Sequence, residues 1–174
     1  MSDEPSPVNQ HPGLRRICIA GTGRAVPERI LTNDDLSKMV DTSDAWIRER
    51  TGIRTRHMVR RGEEAASDLA ARAGTAACEA AGILPKDIDA VICSTISPDM
   101  PLPSCAVYVQ RKVGAAPHSA AFDLAAACGG FIYGLAVAEG LLRSGLYRHI
   151  LLCGVEVLSG YVHWQDRNTC VLFG

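Results

Sequence analysis

Apolar residues along this chain fall in short runs broken by glycine or proline, and the runs differ in period. Residues 15–23, "RRICIAGTG", predict a first buried strand running into a glycine turn. Residues 89–97, "DAVICSTIS", predict a second buried strand. Residues 119–127 and 148–159 predict two more, the former buried on both faces. Residues 53–59, "IRTRHMV", alternate apolar with basic residues, as an exposed strand does. Helical spacing follows a Thr cap at 32–40, continues at 42–52 up to Gly52, and fills 65–81 up to Gly82. Two further helices are predicted at 104–114, with a Ser cap and a glycine stop, and at 129–144. Three prolines in "PDMPLP" exclude regular structure there, and "WQDRNT" reads as irregular. Strands alternate with helices from Ala65 onward. That order predicts an α/β fold with a largely parallel sheet and helices on both faces.

Composition narrows the class. A chain of 174 residues, 47% apolar and 21% charged, is long enough for one soluble domain with a core. A net charge of −1 points to neither a nucleic-acid nor a membrane partner. The seven cysteines are odd in number and form no CxxC pair. Cys18, Cys93, Cys153 and Cys170 lie in apolar surroundings, as free thiols of a reducing cytoplasm do. Cys and His lack ligand spacing, so no metal is expected. Residues 1–14 are polar and proline-rich, without the basic start of a signal peptide, and read as a disordered leader of a cytoplasmic protein. The apolar β-type run "TCVLFG" reads either as a short edge strand or, preferably, as the point where a fragment stops inside a sheet.

The stretch "DLAAACGGFIYGL", residues 123–135, poses the chemical question. Gly130 and Gly134 form a GxxxG, but Asp123 and Glu139 bound an uncharged run shorter than the ~20 residues of a membrane span. A buried strand, turn and helix fit better. Cys128 is then either a packing thiol or a nucleophile. It falls at a predicted junction between strand end and helix start, where sites of parallel α/β sheets lie. The free N–H groups and dipole of a helix start favour a thiolate and could hold an oxyanion, and the glycines that follow admit a ligand. This follows the logic of a nucleophile elbow, with cysteine in place of serine.

Together "DTSDAWIRERTGIRTRH", "DLAAACGGFIYGL" and "DRNTCVLFG" resemble the N-terminal half of a β-ketoacyl-acyl-carrier-protein synthase III, of the thiolase superfamily. The resemblance runs from about Arg16 to Gly174. It implies a thiolase-like layered α-β-α-β-α fold, of which residues 15–174 supply the first βαβαβ-type half. It implies that Cys128 takes an acyl group from acyl-coenzyme A, a substrate rather than a resident cofactor. The acyl group then condenses with malonyl-acyl carrier protein, with loss of carbon dioxide, to start fatty-acid synthesis. The family's His and Asn lie in its second half, and none of the five histidines here sits in their motif. This half alone is therefore expected to be inactive. The Cys128 N–H resembles one oxyanion donor.

By the same resemblance Trp46 stacks on the adenine of coenzyme A and Arg50 contacts the nucleotide. Thr42 hydrogen-bonds nearby, and Arg167 closes the other face of the base. The bland readings are a helix anchor for Trp46 and a surface ion pair for Arg167. "PDMPLPSC" resembles the loop that crosses a homodimer interface into the partner's acyl pocket, with Leu102 at a tip that is often phenylalanine. Gly129 replaces a usual Ala or Ser, and His163 stands where an acid is common. The arginines at 48, 50, 54, 56, 60 and 61 are interrupted by acids and apolar residues and read as a solvated face. Two other readings stay open: a specialised polyketide, quinolone-type or hydroxymethylglutaryl-synthase-type enzyme of the superfamily, and an inactive half-subunit that needs a partner chain.

Overall fold

The computed structural model describes residues 16–60 and 62–174. The leader expected at 1–14, the first residue of the predicted opening strand and Arg61 lie outside the described residues.

The larger unit is a parallel sheet of β3 (Ala90–Ser94), β4 (Ala120–Leu124) and β5 (Ile150–Gly154), in the order β4-β3-β5. Val91 and Ile92 of the central strand are fully buried, which is why that strand reads as an unbroken apolar run. Its side chains alternate between two helical layers. Val91 and Cys93 pack with Ala70 of α3 (Ala66–Ala81) and Val109 of α4 (Cys105–Val113). On the other face, Gly130 and Gly134 of α5 (Gly130–Arg143) sit directly on Ser94 and Leu152. The α/β architecture with helices on both faces is as expected.

A smaller unit packs β1 (Arg29–Thr32) antiparallel to β2 (Thr55–Met58), with Arg29 opposite Met58. Around them lie α1 (Asn33–Ser37), α2 (Asp44–Thr51) and α6 (Arg167–Cys170). Leu36, Ile47, Met58, Cys170 and Val171 form their shared core. Thr32 caps α1 by accepting the Asp35 N–H at 3.1 Å. Ser43 caps α2 at 3.2 Å, and Gly52, with φ 73°, closes it in the left-handed region.

Several expectations are corrected. Residues 16–27 form no strand. The segment lies against α3 instead: a Cβ on Gly23 would run into the Ala73 carbonyl and stand 2.6 Å from the Ala77 nitrogen. An apolar run declares a need for burial, and here a helix meets part of it; Ile19 stays 72% exposed. Gly23→Ala is expected to lift this segment off α3. Limited proteolysis should then cut within it about tenfold faster; an unchanged rate removes the contact as an anchor.

β2 is not an exposed strand, since Arg56 and Met58 both point inward. Arg56 is drawn in by two acceptors, the Asn33 side chain at 3.0 Å and the Val171 carbonyl at 2.9 Å. β4 is an edge strand and half-buried throughout, rather than covered on both faces. "WQDRNT" is not wholly irregular: Asp166 accepts the Asn168 N–H at 3.0 Å and starts α6. "TCVLFG" is the end of α6 followed by a turn, not a strand. The strand expected at 148–159 is confined to β5. Among the described residues no helix is long and apolar enough to cross a membrane.

Candidate active site

Beyond β4 the chain makes a short 3-10 turn, Ala127–Gly129, and runs straight into α5. Cys128 sits in this turn, exposed, at the carboxyl end of a parallel strand. The strand, turn and helix expected from sequence are therefore present, with Cys128 in the turn. The strained position is the residue before the cysteine: Ala127 has φ 45°, among the described residues a positive value found elsewhere only at glycines. A non-glycine residue held there costs about 1–2 kcal/mol. Ala127→Gly is expected to recover part of that cost, and thermal unfolding should show a higher midpoint; a lower one would mean the turn is not strained.

A Cβ on Gly130 would overlap the Ser94 hydroxyl unless that side chain turned away. This close approach seats the start of α5 on the end of β3. The Tyr133 ring lies over Gly129, where a Cβ would come within 3.1 Å of it. An Ala or Ser after the cysteine would push that ring aside.

The other thiols are placed for packing. Burial pushes the Cys153 thiol up to about 12, with Cys105 adding to the effect. A hydrogen bond with Cys105, then burial, pushes Cys93 up further. Burial also raises Cys78 and Cys170. Among the described residues only Cys18 and Cys128 are exposed, and Cys18 is not on a helix start.

Three of the residues singled out from sequence come together in the smaller unit. The Arg50 guanidinium lies 4.4 Å from the Trp46 ring centre and that of Arg167 lies 4.8 Å from it. Arg167 also donates to the Asp41 carbonyl at 2.9 Å, rather than pairing with Asp166. The Thr42 hydroxyl, one residue on from Asp41, is buried without a hydrogen-bond partner. Neither Cys128 nor Leu102 joins this cluster. Leu102 is 82% exposed, at the tip of an arm formed by residues 95–104 between β3 and α4.

Two cavities lie away from the thiol. One of about 760 Å³ runs between residues 17–25, α3, α5 and β5. Another of about 330 Å³ is lined by Arg56, His57 and Glu156. Cys128 borders neither.

Residues 122–174, which include the elbow, match the family model of 3-oxoacyl-acyl-carrier-protein synthase III. The β-ketoacyl-acyl-carrier-protein synthase III of Symbiobacterium thermophilum is 55% identical over 161 residues, which cover 92% of this chain and 48% of that protein. The chain belongs to the synthase III family. The crystal structure of the synthase III from Aquifex aeolicus superposes with a TM-score of 0.85 at 44% identity, covering 90% of this chain and 50% of that one. A priming β-ketosynthase of a polyketide pathway also superposes at 0.85, with 33% identity over 94% of this chain and 50% of its own. This synthase III chain spans about half the length of the curated relatives it matches. Its mixed fold with a parallel sheet is the thiolase-like fold of these relatives.

Sequence reasoning passed over the acids that build the synthase III elbow and arm. Ser104 occupies the cap position of α4 but makes no side-chain capping bond. The acceptor is Asp123, from a different strand. A cap residue next to its helix can be read from sequence; one supplied across a sheet cannot.

Proposed function

We propose that this chain is the N-terminal half of a condensing enzyme that loads an acyl group onto Cys128. The observation that carries the proposal is an exposed cysteine on a strained turn between a parallel strand and a helix, in a chain of this family. The Cys128 sulfur, as thiolate, attacks the thioester carbonyl of acyl-coenzyme A. The electron pair of that carbonyl moves to its oxygen, where the Cys128 N–H donates a hydrogen bond. Collapse of the adduct breaks the bond to the coenzyme A sulfur, releases coenzyme A thiolate and leaves an acyl-cysteine thioester. Malonyl-acyl carrier protein then loses carbon dioxide, and its carbanion attacks the acyl-cysteine carbonyl; collapse of the adduct breaks the bond to the Cys128 sulfur, regenerates the thiolate and leaves a β-ketoacyl thioester on the carrier protein. The His and Asn for that step belong to the second half, so this half alone is inactive.

Trp46, Arg50, Thr42 and Arg167 hold the nucleotide end of coenzyme A, with no resident cofactor and no metal. Arg167 now touches Trp46 directly. A purine entering between them displaces Arg167 outward and breaks its bond to the Asp41 carbonyl, next to Thr42. Leu102 lines the acyl pocket of a partner subunit in a cytoplasmic homodimer. The likeness to a priming polyketide ketosynthase supports a second reading, in which the same chemistry starts a polyketide rather than a fatty acid.

The test is acyl transfer from labelled acetyl-coenzyme A to the protein that contains this chain, with peptide mapping of the label. Label on the Cys128 peptide supports the reading. Label that survives in Cys128→Ala sinks it.

A further inference from the structure

We propose that Asp123 is a positioning residue that fixes the 95–104 arm on the strand that carries Cys128, and thereby sets how firmly Leu102 is held in the partner's acyl pocket and how strictly that pocket discriminates between acyl chain lengths. The proposal rests on the reading of Cys128 as acyl acceptor and of Leu102 as a pocket wall.

Asp123 lies in β4, on the strand that delivers Cys128. One of its carboxylate oxygens accepts the Cys105 N–H at 2.7 Å and the other accepts the Ala106 N–H at 2.8 Å. These are first-turn N–H groups of α4, which have no acceptor within their own helix. A carboxylate there makes two charge-assisted bonds and faces the positive end of the helix dipole. The start of α4 is the end of the arm. The arm is therefore registered on the nucleophile's own strand, not on a local cap.

Two more acids hold the rest of the arm. Asp99 accepts the Ser67 N–H at 2.9 Å and the Ser67 hydroxyl, at the first turn of α3. Lys112 of α4 donates to the same Ser67 hydroxyl and to Asp68 at 2.6 Å. Glu156, just beyond β5, accepts the Ile96 N–H at 3.0 Å, the Thr95 hydroxyl at 3.3 Å and the Ser97 hydroxyl. The Val157 N–H donates to the Ser97 hydroxyl at 2.8 Å. The arm is thus tied at its root, its middle and its end, while Leu102 at its tip stays exposed. A tip carried on three fixed points cannot retreat before a longer acyl chain. The Asp123 tie at the arm's end is shared with the strand of Cys128, and at the arm's root the Thr95 N–H donates to the Leu124 carbonyl of the same strand at 3.3 Å.

The experiment uses the protein that contains this chain and a series of straight-chain acyl-coenzyme A thioesters. Asp123→Asn keeps the side-chain size but turns an N–H donor toward one of the two α4 N–H groups. The spread of kcat/KM across the series is expected to narrow by about fivefold or more. The rate of Cys128 alkylation by iodoacetamide, and the pH profile of that rate, are expected to stay as in the unaltered protein. A residue with only a structural role would lower every chain length and the alkylation rate in parallel, and that result overturns the proposal. If Asp123→Asn does not fold, Asp99→Asn loosens the arm from the α3 side and is expected to narrow the spread in the same direction; an unchanged spread overturns the proposal. Failure of the unaltered protein to acylate Cys128 overturns the acyl-acceptor reading as well, whereas acylation with an unchanged spread overturns the Asp123 role alone.

Discussion

Cys128→Ala is expected to lower acyl uptake by about 10³-fold or more while leaving the fold intact. Removing a nucleophile removes the covalent step itself, so no other group takes up a graded share of the loss. The described chain offers no substitute: every other described thiol but Cys18 is buried, and Cys18 is on neither the elbow nor a helix start. Stability should hardly move, because Cys128 is exposed and belongs to neither core, and surface changes cost within about 0.5 kcal/mol. The two measurements belong together: labelling by acyl-coenzyme A and the thermal midpoint. Loss of both would mean that Cys128 supports the fold, and the chemical assignment would then lose its footing. Cys128→Ser is a useful companion. It keeps the size of the side chain but exchanges the thiol for a hydroxyl that ionises far less readily, so it too should fail to turn over.

Trp46→Ala is expected to raise KM for acyl-coenzyme A by about 10- to 100-fold with little change in kcat. Stacking of one base on an aromatic face is worth about 1–3 kcal/mol, and it acts equally on bound substrate and transition state. Trp46 has a second task, since it packs against the core of the smaller unit. The alanine variant should therefore also unfold earlier. Trp46→Phe separates the two effects, because it keeps a π-face and most of the packing. If KM follows the thermal midpoint across both variants, Trp46 is an anchor of α2 and not a nucleotide platform. Arg167→Ala breaks the contact that fills this face in the free protein, together with its bond to the Asp41 carbonyl. It removes one wall of the slot and also the group a purine has to displace, so its effect on KM should be smaller than that of Trp46.

The sequence made some of this plain and hid the rest for identifiable reasons. β3 was legible because a strand covered on both faces is apolar nearly throughout, and Ala90–Ser94 is buried with Ser94 its one polar residue. The ends of α2, α3 and α4 were legible because Gly52, Gly82 and Gly114 adopt the left-handed conformation that glycine alone reaches without cost. The first predicted strand failed because the apolar run "ICIAG" specifies burial but not a hydrogen-bonding partner. Arg56 was read as solvent-facing because no local signal announces that Asn33 and Val171 receive it from elsewhere in the chain. Cys128 could be found because glycine, cysteine and a strand–helix junction coincide within a few residues. The Trp46 cluster was found through the family resemblance alone: Arg167 lies far along the chain from Trp46, and spacing carries no trace of their contact.

The pairing of β3 with both β4 and β5 has a bearing on biosynthesis. Ala90 is opposite Ala120 on one side and Ile150 on the other, so the sheet closes over long stretches of chain. Such non-local pairings form slowly, and a chain leaving the ribosome can make them only in order. The β3–β4 pair and the Cys128 elbow can form first, while the other edge of β3 waits for β5 to emerge. During that interval a largely apolar strand presents one open edge to solvent, the condition under which nascent chains associate wrongly. Slower or cooler expression, which gives β5 time to dock before nascent chains meet, should raise the soluble yield.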